Sequence, residues 1–491
     1  MSPLLVLGSV GVYFVLLLSI AAWTSRKADS AGYFLGNRSS PWIAVAFGLI
    51  GDSLSGVTFI SVPGQVGASR CSYLQVVLGY VVGYVVIAEI LLPLYYRLQL
   101  TSIYSYLGQR FGSGAQKTGS AFFLLSRLLG AGARLYLAAT VFQTFVFDAL
   151  GIPFALTVSV IIALILVYTL KGGIKTLVWT DAFQSGFLVA GVLLSIWIIA
   201  RRMSLGPAGL AQVVWESPLS RVFHFEDWRA TTYFWKQFLS GAAIAVVMTG
   251  LDQNAMQKNL SCRSLAEARK NLYAFTGVMV LVNAAFLALG VLLFRFAESI
   301  QMAIPAKTDQ LFPTLALHHL GGFAAMVFVI GLTAATFNSA DSVLTTLTTS
   351  FCVDFLGFGG VSSRSAESEV RWRRGVHFGF AVLLLGVILA FRQFNSGAVI
   401  TLVLDLAGYT YGPLLGLFLV GLFTRIRPNG NGIPWVCMIA PLVCWQLSAN
   451  SVQWFGGYRF GFELLLLNGA LTALGLWMLS WGRASSKTIS L

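Results

Sequence analysis

Charge is what this 491-residue chain has least of: Asp, Glu, Lys and Arg together make up 10%, against roughly 25% in soluble domains. With 57% hydrophobic residues, that scarcity excludes an ordinary soluble globular protein. It implies several membrane-spanning helices, because apolar runs of about 20 residues recur along the chain. Histidine is sparse too. There are four, scattered apart from His318-His319, and no metal-ligand spacing results. The five cysteines (Cys71, Cys262, Cys352, Cys437 and Cys444) contain no Cys-x-x-Cys pair. They lie in or beside apolar runs and read as packing residues, with no disulfide or metal framework. A nucleophile constellation and a cofactor motif are lacking, which argues against a membrane enzyme. Every connection between apolar runs is too short for a soluble domain. No cleavable leader is evident: Leu4 to Trp23 is long enough to span and Arg26-Lys27 follow, the pattern of a retained first helix.

What is present is a series of about thirteen candidate spans, at 4–23, 41–64, 72–96, 119–147, 153–170, 178–200, 233–253, 272–296, 321–353, 375–391, 397–423, 432–449 and 460–481. An odd number puts the termini on opposite sides. With the N-terminus outside, inner segments hold roughly twice as many Lys and Arg as outer ones, which predicts N-out, C-in. Lys258, Arg263, Arg269 and Lys270 form one inner cluster on this count. The bias accounts for much of the net charge of +14 without a nucleic-acid partner. The longest outer segment, 201–232, holds Trp215, Trp228 and His224 and reads as an interfacial loop with a short helix.

The second span is unusual. Between Ala46 and Gly64 its middle crowds Gly48, Gly51, Asp52, Ser53, Ser55, Gly56 and Thr58. Ser and Asp compete for backbone hydrogen bonds, and Gly weakens a helix by about 1 kcal/mol against Ala. Irregular backbone at membrane depth is tolerated where it lines a protected cavity. One reading is a broken helix whose carbonyls coordinate a ligand; the other is a kinked helix packed through small residues.

Ionisable residues inside spans are costly and mark function by default. They are Asp52, Glu89, Arg127, Arg134, Asp181, Asp252, Asp341 and Asp405. Glu89 reads equally as a helix-end residue near Arg97, Asp252 as a cap, and Asp181 as a carboxylate at a positive helix end. Asp52, Arg134 and Asp341 have polar surroundings and are harder to explain by packing. Within 331–350, Ala335, Asn338, Ser339 and Ser342 share one helix face, with Asp341 beside it. Such a face offers hard oxygen ligands to a small cation. Two further segments, Thr249 to Asn254 and Ala407 to Pro413, interrupt spans with polar residues, Gly and Pro. Breaks of that kind serve as hinges or cavity walls.

Several segments together resemble the sodium:solute symporter family, which includes sodium-coupled sugar, proline, sialic acid and iodide carriers. They are Tyr33 to Arg38; Leu54-Ser55-Gly56-Val57-Thr58-Phe59; Gly172-Gly173-Ile174-Lys175 with Trp179 to Gln184; Asn338 to Ser342 with Asp354; and Gly412 to Gly416 running to Phe423. Their order and spacing, across nearly the whole chain, carry the resemblance. It implies an all-α polytopic membrane protein of the LeuT type, a 5+5 inverted repeat. The expected division is a peripheral helix and inner loop at 1–40, repeats at 41–200 and 233–424, an outer loop at 201–232, and two peripheral helices with a tail at 425–491.

The same resemblance implies a sodium site made by Gly51, Leu54, Ala335, Asn338 and Ser339, with Asn338 where a hydroxyl is usual. It implies a possible second sodium at Asp181, Asp341 and Ser342. Ser53, Ser55 and Thr58 match substrate-facing positions, and Arg134 matches an arginine that holds the substrate carboxylate in sialic acid carriers. Val57 and Leu404 replace the polar sugar ligands of hexose carriers. The expected function is therefore sodium-coupled symport of a small carboxylate or zwitterion into the cell. Sodium is the coupled ion. Solute, sodium and the bilayer are the partners, and no nucleic acid or obligatory protein partner is expected. The expected location is the plasma membrane, a bacterial inner membrane. The alternatives are uptake of a neutral sugar or polyol, and a solute-sensing receptor on a transporter scaffold.

Overall fold

The computed structural model describes residues 3–24, 38–358, 366–394 and 399–481. Residues 33–37 of the motif before the second span, and Arg26 and Lys27, lie outside the described residues. The described chain is helical, with no named strand. Its long helices are α1 (Pro3–Thr24), α2 (Trp42–Ser53), α3 (Gly56–Ser69), α4 (Tyr73–Arg97), α5 (Ser113–Leu150), α6 (Phe154–Arg202), α7 (Phe234–Gly250), α8 (Gln253–Asn259), α9 (Leu265–Ser299), α10 (Gly322–Phe355), α11 (Ala366–Phe394), α12 (Val399–Phe423), α13 (Ile433–Ala449) and α14 (Leu464–Trp481). α8 is short, but it completes a span begun by α7.

Among the described residues, nine helices are long and apolar enough to cross a membrane, and the bent pairs α2–α3 and α7–α8 bring the number to eleven. Two shorter apolar helical stretches, Gly8–Thr24 and Phe154–Val167, coincide with the first and fifth expected spans. The helical backbone of α6 continues from Phe154–Val167 into Thr176–Arg202. The segment expected to be an outer interfacial loop contains a helix, Pro207–Glu216, with Trp215 fully turned outward.

Local chemistry sets several boundaries. Ser264 begins α9 by accepting from Glu267 N at 3.2 Å, the hydroxyl half of a capping box. Gly321 precedes α10 at φ +95°, a conformation that costs a residue with a Cβ. α10 is the axis of the bundle: 83% of its most apolar window is buried, against 22% for α11 and α13. The latter two are peripheral, with Trp372, Phe378, Trp435 and Trp445 directed outward, as apolar and aromatic side chains are in lipid.

α4 and α7 approach backbone to backbone. A Cβ on Gly241 would lie 2.9 Å from the Val76 carbonyl carbon, and one on Gly79 would lie 2.8 Å from Ala242 N. Small residues permit such contact, and in lipid the van der Waals gain drives association. Gly241→Ala is expected to push the two helices apart and to cost about 1–3 kcal/mol, the usual cost of overpacking. A lowered thermal midpoint of the purified protein checks this; an unchanged midpoint would mean that the seam can relax.

Candidate functional site

The two bent pairs meet in the middle of the bundle. The first break falls at Leu54 and Ser55. Leu54 N still closes onto Ile50 O at 2.8 Å, and Ser55 is extended with ψ 177°. Beyond that bond, no backbone N–H among the described residues closes onto the carbonyls of Gly51 or Leu54. The crowd of Gly, Ser and Asp in this stretch thus gives a true interruption, with a 54° bend between α2 and α3, rather than a kink.

The second break, at Leu251 and Asp252, bends the chain by 68°. A π-helical turn, Val246–Gly250, precedes it. Here the freed groups are already paired. Tyr95 donates to Gly250 O and Tyr104 to Leu251 O, each at 3.0 Å. Asp252 caps α8, its Oδ1 accepting from Asn254 N at 2.9 Å and Ala255 N at 3.2 Å. Its Oδ2 accepts from Tyr411 at 2.7 Å and from Arg127 Nε. Asp252 is therefore both a cap and half of a buried ion pair, and Arg127, which the sequence left without a role, is the other half. Of the remaining membrane acids, Glu89 sits at a half-exposed edge, paired with Arg269 at 2.8 Å, and Asp405 is exposed.

A cavity lies between the breaks. Ser53, Ser55, Thr58 and Arg134, the expected substrate residues, all line it. Val57 and Leu404 do as well, so both positions that replace polar sugar ligands face the same space. Arg134 makes no ion pair or hydrogen bond among the described residues. Tyr73, Tyr80 and Tyr84 form one wall, with the Tyr73 and Tyr80 hydroxyls 3.2 Å apart. Asn283 also lines the cavity, and its Oδ1 is buried without a partner. The sequence reading missed these four. The tyrosines stand at i, i+7 and i+11, a one-face helical spacing that would have found them.

Beside the cavity floor lie the expected cation ligands. Gly51 backs onto Asn338: a Cβ there would fall 2.6 Å from Asn338 Cγ and 2.6 Å from Ser185 Oγ. Asn338 Nδ2 donates to Asp181 O at 3.1 Å, whereas Asn338 Oδ1 and Ser185 Oγ are buried without a partner among the described residues. Ser339 Oγ donates to Ala335 O at 3.2 Å. α2 and α10 thus meet across a small group of oxygens, two of them orphaned. Orphaned buried acceptors are costly unless something donates to them or binds them, and a hard cation would do so.

Lys258 is a residue that the sequence reading misplaced. Counted with an inner loop, it lies on α8 and is 0% exposed. Its ammonium bonds to Asp52 Oδ2 at 2.5 Å, to Asp181 Oδ2, and to Ser342 Oγ at 2.9 Å. Ser342 Oγ in turn donates to Asp181 Oδ2 at 3.0 Å. Asp52, prominent in sequence but without a role, is therefore a partner of this lysine. Asp341 is buried next to Ser342, its Oδ1 accepting from Ser342 N at 2.6 Å. The signal for Lys258 was its i+4 spacing from Asn254, whose Oδ1 accepts from Thr346 Oγ1 of α10 at 2.9 Å. One face of α8 points inward.

Comparison with known proteins agrees with this architecture. A model of the sodium:solute symporter family matches residues 33–439. The sodium-coupled monocarboxylate transporter 2 of Danio rerio is 28% identical over 444 residues, covering 86% of this chain and 67% of that protein. The sodium/sialic acid symporter NanT of Aliivibrio fischeri is 24% identical over 483 residues, covering 94% and 91%. A solved substrate-bound, outward-open Na+-coupled sialic acid symporter superposes with a TM-score of 0.83 at 19% identity, covering 99% of each chain. The fold is of the LeuT type, in an all-helical, multi-pass membrane protein. The match runs through both broken helices and the bundle around them, and the chain belongs to the sodium:solute symporter family.

Proposed function

We propose that this protein carries a small organic carboxylate, or a zwitterion bearing one, into the cell together with sodium. One observation carries the reading: the Arg134 guanidinium stands unpaired in a cavity at the junction of two broken helices. A half-buried cation without a protein partner is costly at membrane depth, and a carboxylate supplies two parallel hydrogen bonds to it. Val57 and Leu404 leave a hexose without polar ligands on that side of the cavity. Relatives that carry monocarboxylates and sialic acid support the same class.

Sodium would be held by the carbonyls of Gly51, Leu54 and Ala335 with Asn338 Oδ1 and Ser339 Oγ. Occupying these joins α2 to α10 and fixes the first break, where Ser55 and Thr58 face the substrate. Sodium then raises substrate affinity, and substrate raises sodium affinity by the same factor. Rocking of the repeats at 41–200 and 233–424 about the filled site opens the other side. The N-terminus lies outside and the C-terminus in the cytoplasm, as the basic residues favour. One sodium with one carboxylate is an uncharged cargo, so the sodium concentration gradient alone drives accumulation.

Uptake into proteoliposomes tests this, with an aliphatic monocarboxylate, sialic acid, an amino acid and a hexose offered under an inward sodium gradient. A carboxylate should accumulate with sodium and not with potassium; no sodium-dependent carboxylate uptake would overturn the reading. Ser339→Ala is expected to raise the half-saturating sodium concentration about tenfold, equivalent to about 1.4 kcal/mol. An unchanged sodium dependence would remove Ser339 from the site.

A further inference from the structure

We propose that Lys258 is a resident cation: its ammonium fills the position at Asp181 and Ser342 where a second coupling sodium would otherwise bind. An ammonium has three protons to donate, and Lys258 has three acceptors: Asp52 Oδ2, Asp181 Oδ2 and Ser342 Oγ. Two of these residues are ones that would hold a second sodium. Their inward oxygens are already committed to a unit positive charge, and a free cation there would face that charge at contact distance in a low-dielectric interior.

The lysine is held to this place. Asp252 caps α8, Gln253 Oε1 accepts from Ile103 N at 2.9 Å, and Asn254 is bonded to Thr346. The ammonium therefore arrives on a helix braced from three sides, with its side chain wholly enclosed. Asp52, Asp181 and Lys258 together carry a net charge of −1, and the Asp341 carboxyl, buried beside Ser342, adds to the acidic side. The surplus is visible in the geometry: Asp52 Oδ1 and Asp181 Oδ1 are both buried without a partner among the described residues. The Asp181 backbone carbonyl accepts from Asn338, so the expected single-sodium site adjoins the same residue.

The count of one sodium rests on the symport reading, whereas the role of Lys258 does not. Equilibrium binding of radioactive sodium to purified protein, counted per chain, separates them. The wild type is expected to bind one sodium, and Lys258→Ala to bind two. A wild type that binds none with a Lys258→Ala that binds one would sink the sodium site at Gly51 and Asn338 but support the resident cation. A folded Lys258→Ala that binds as many ions as the wild type would overturn it, as would a wild type that binds two. If Lys258→Ala does not fold, the double variant Lys258→Met with Asp52→Asn decides. It keeps the net charge of −1 while emptying the position, so it too must bind one ion more than the wild type.

Discussion

Asp252→Ala is expected to be the most damaging single substitution in the membrane interior. It removes the acceptor of Arg127, the partner of Tyr411 and the cap of α8 together. Breaking a buried ion pair from one side costs about 3–5 kcal/mol, and losing an N-cap adds about 1 kcal/mol. That is comparable to the whole stability of many domains. The measurement is the thermal midpoint and the yield of monodisperse protein in detergent. Asp252→Asn divides the effect, because Asn caps a helix about as well as Asp yet carries no charge. Its loss should be most of that of the alanine variant. If Asp252→Asn melts with the wild type, the Arg127 pair contributes little and the cap dominates.

Arg134→Ala is the second large effect, of the opposite kind. Binding of a carboxylate should weaken at least about 100-fold, since hydrogen bonds to charged groups contribute about 1.5–3 kcal/mol and a bidentate pair makes two. The folded protein should be no less stable, because the guanidinium has no internal partner to lose. Arg134→Lys should fall between, with the charge kept and the fork lost. Calorimetry with a carboxylate and with its neutral amide checks the assignment: the variant should lose discrimination between the two. Equal carboxylate binding by wild type and variant would take Arg134 out of the site. Lower stability without altered binding would make it a structural residue.

These two arginines mark the limit of what the sequence makes legible. Both stand in one span, seven residues apart, and both are intramembrane cations by the same rule. Their roles diverge because Asp252, 125 residues downstream of Arg127, reaches one of them. No local pattern encodes that encounter. The broken second span was legible, because Gly, Ser and Asp crowd a short stretch and helix chemistry is local. The oxygen face of α10 was legible for the same reason, being periodic. Lys258 was not. Charge counting assigns a basic residue past the end of a span to a loop, and only the 68° bend at Asp252 turns it back into the bundle. Asp52 was likewise opaque until its partner arrived from another helix.

The two breaks occupy related places in the two halves of the chain, yet they differ in one respect. At Gly250 and Leu251 the freed carbonyls are held by Tyr95 and Tyr104; at Gly51 and Leu54 no backbone donor among the described residues closes on them. The second bend is thus satisfied from within the fold, as a fulcrum needs to be. The first is left open, and in the proposed transport cycle a solute would complete it. In that cycle only one of the two bends would respond to the medium, and this inequality would give the carrier a reason to wait before it moves.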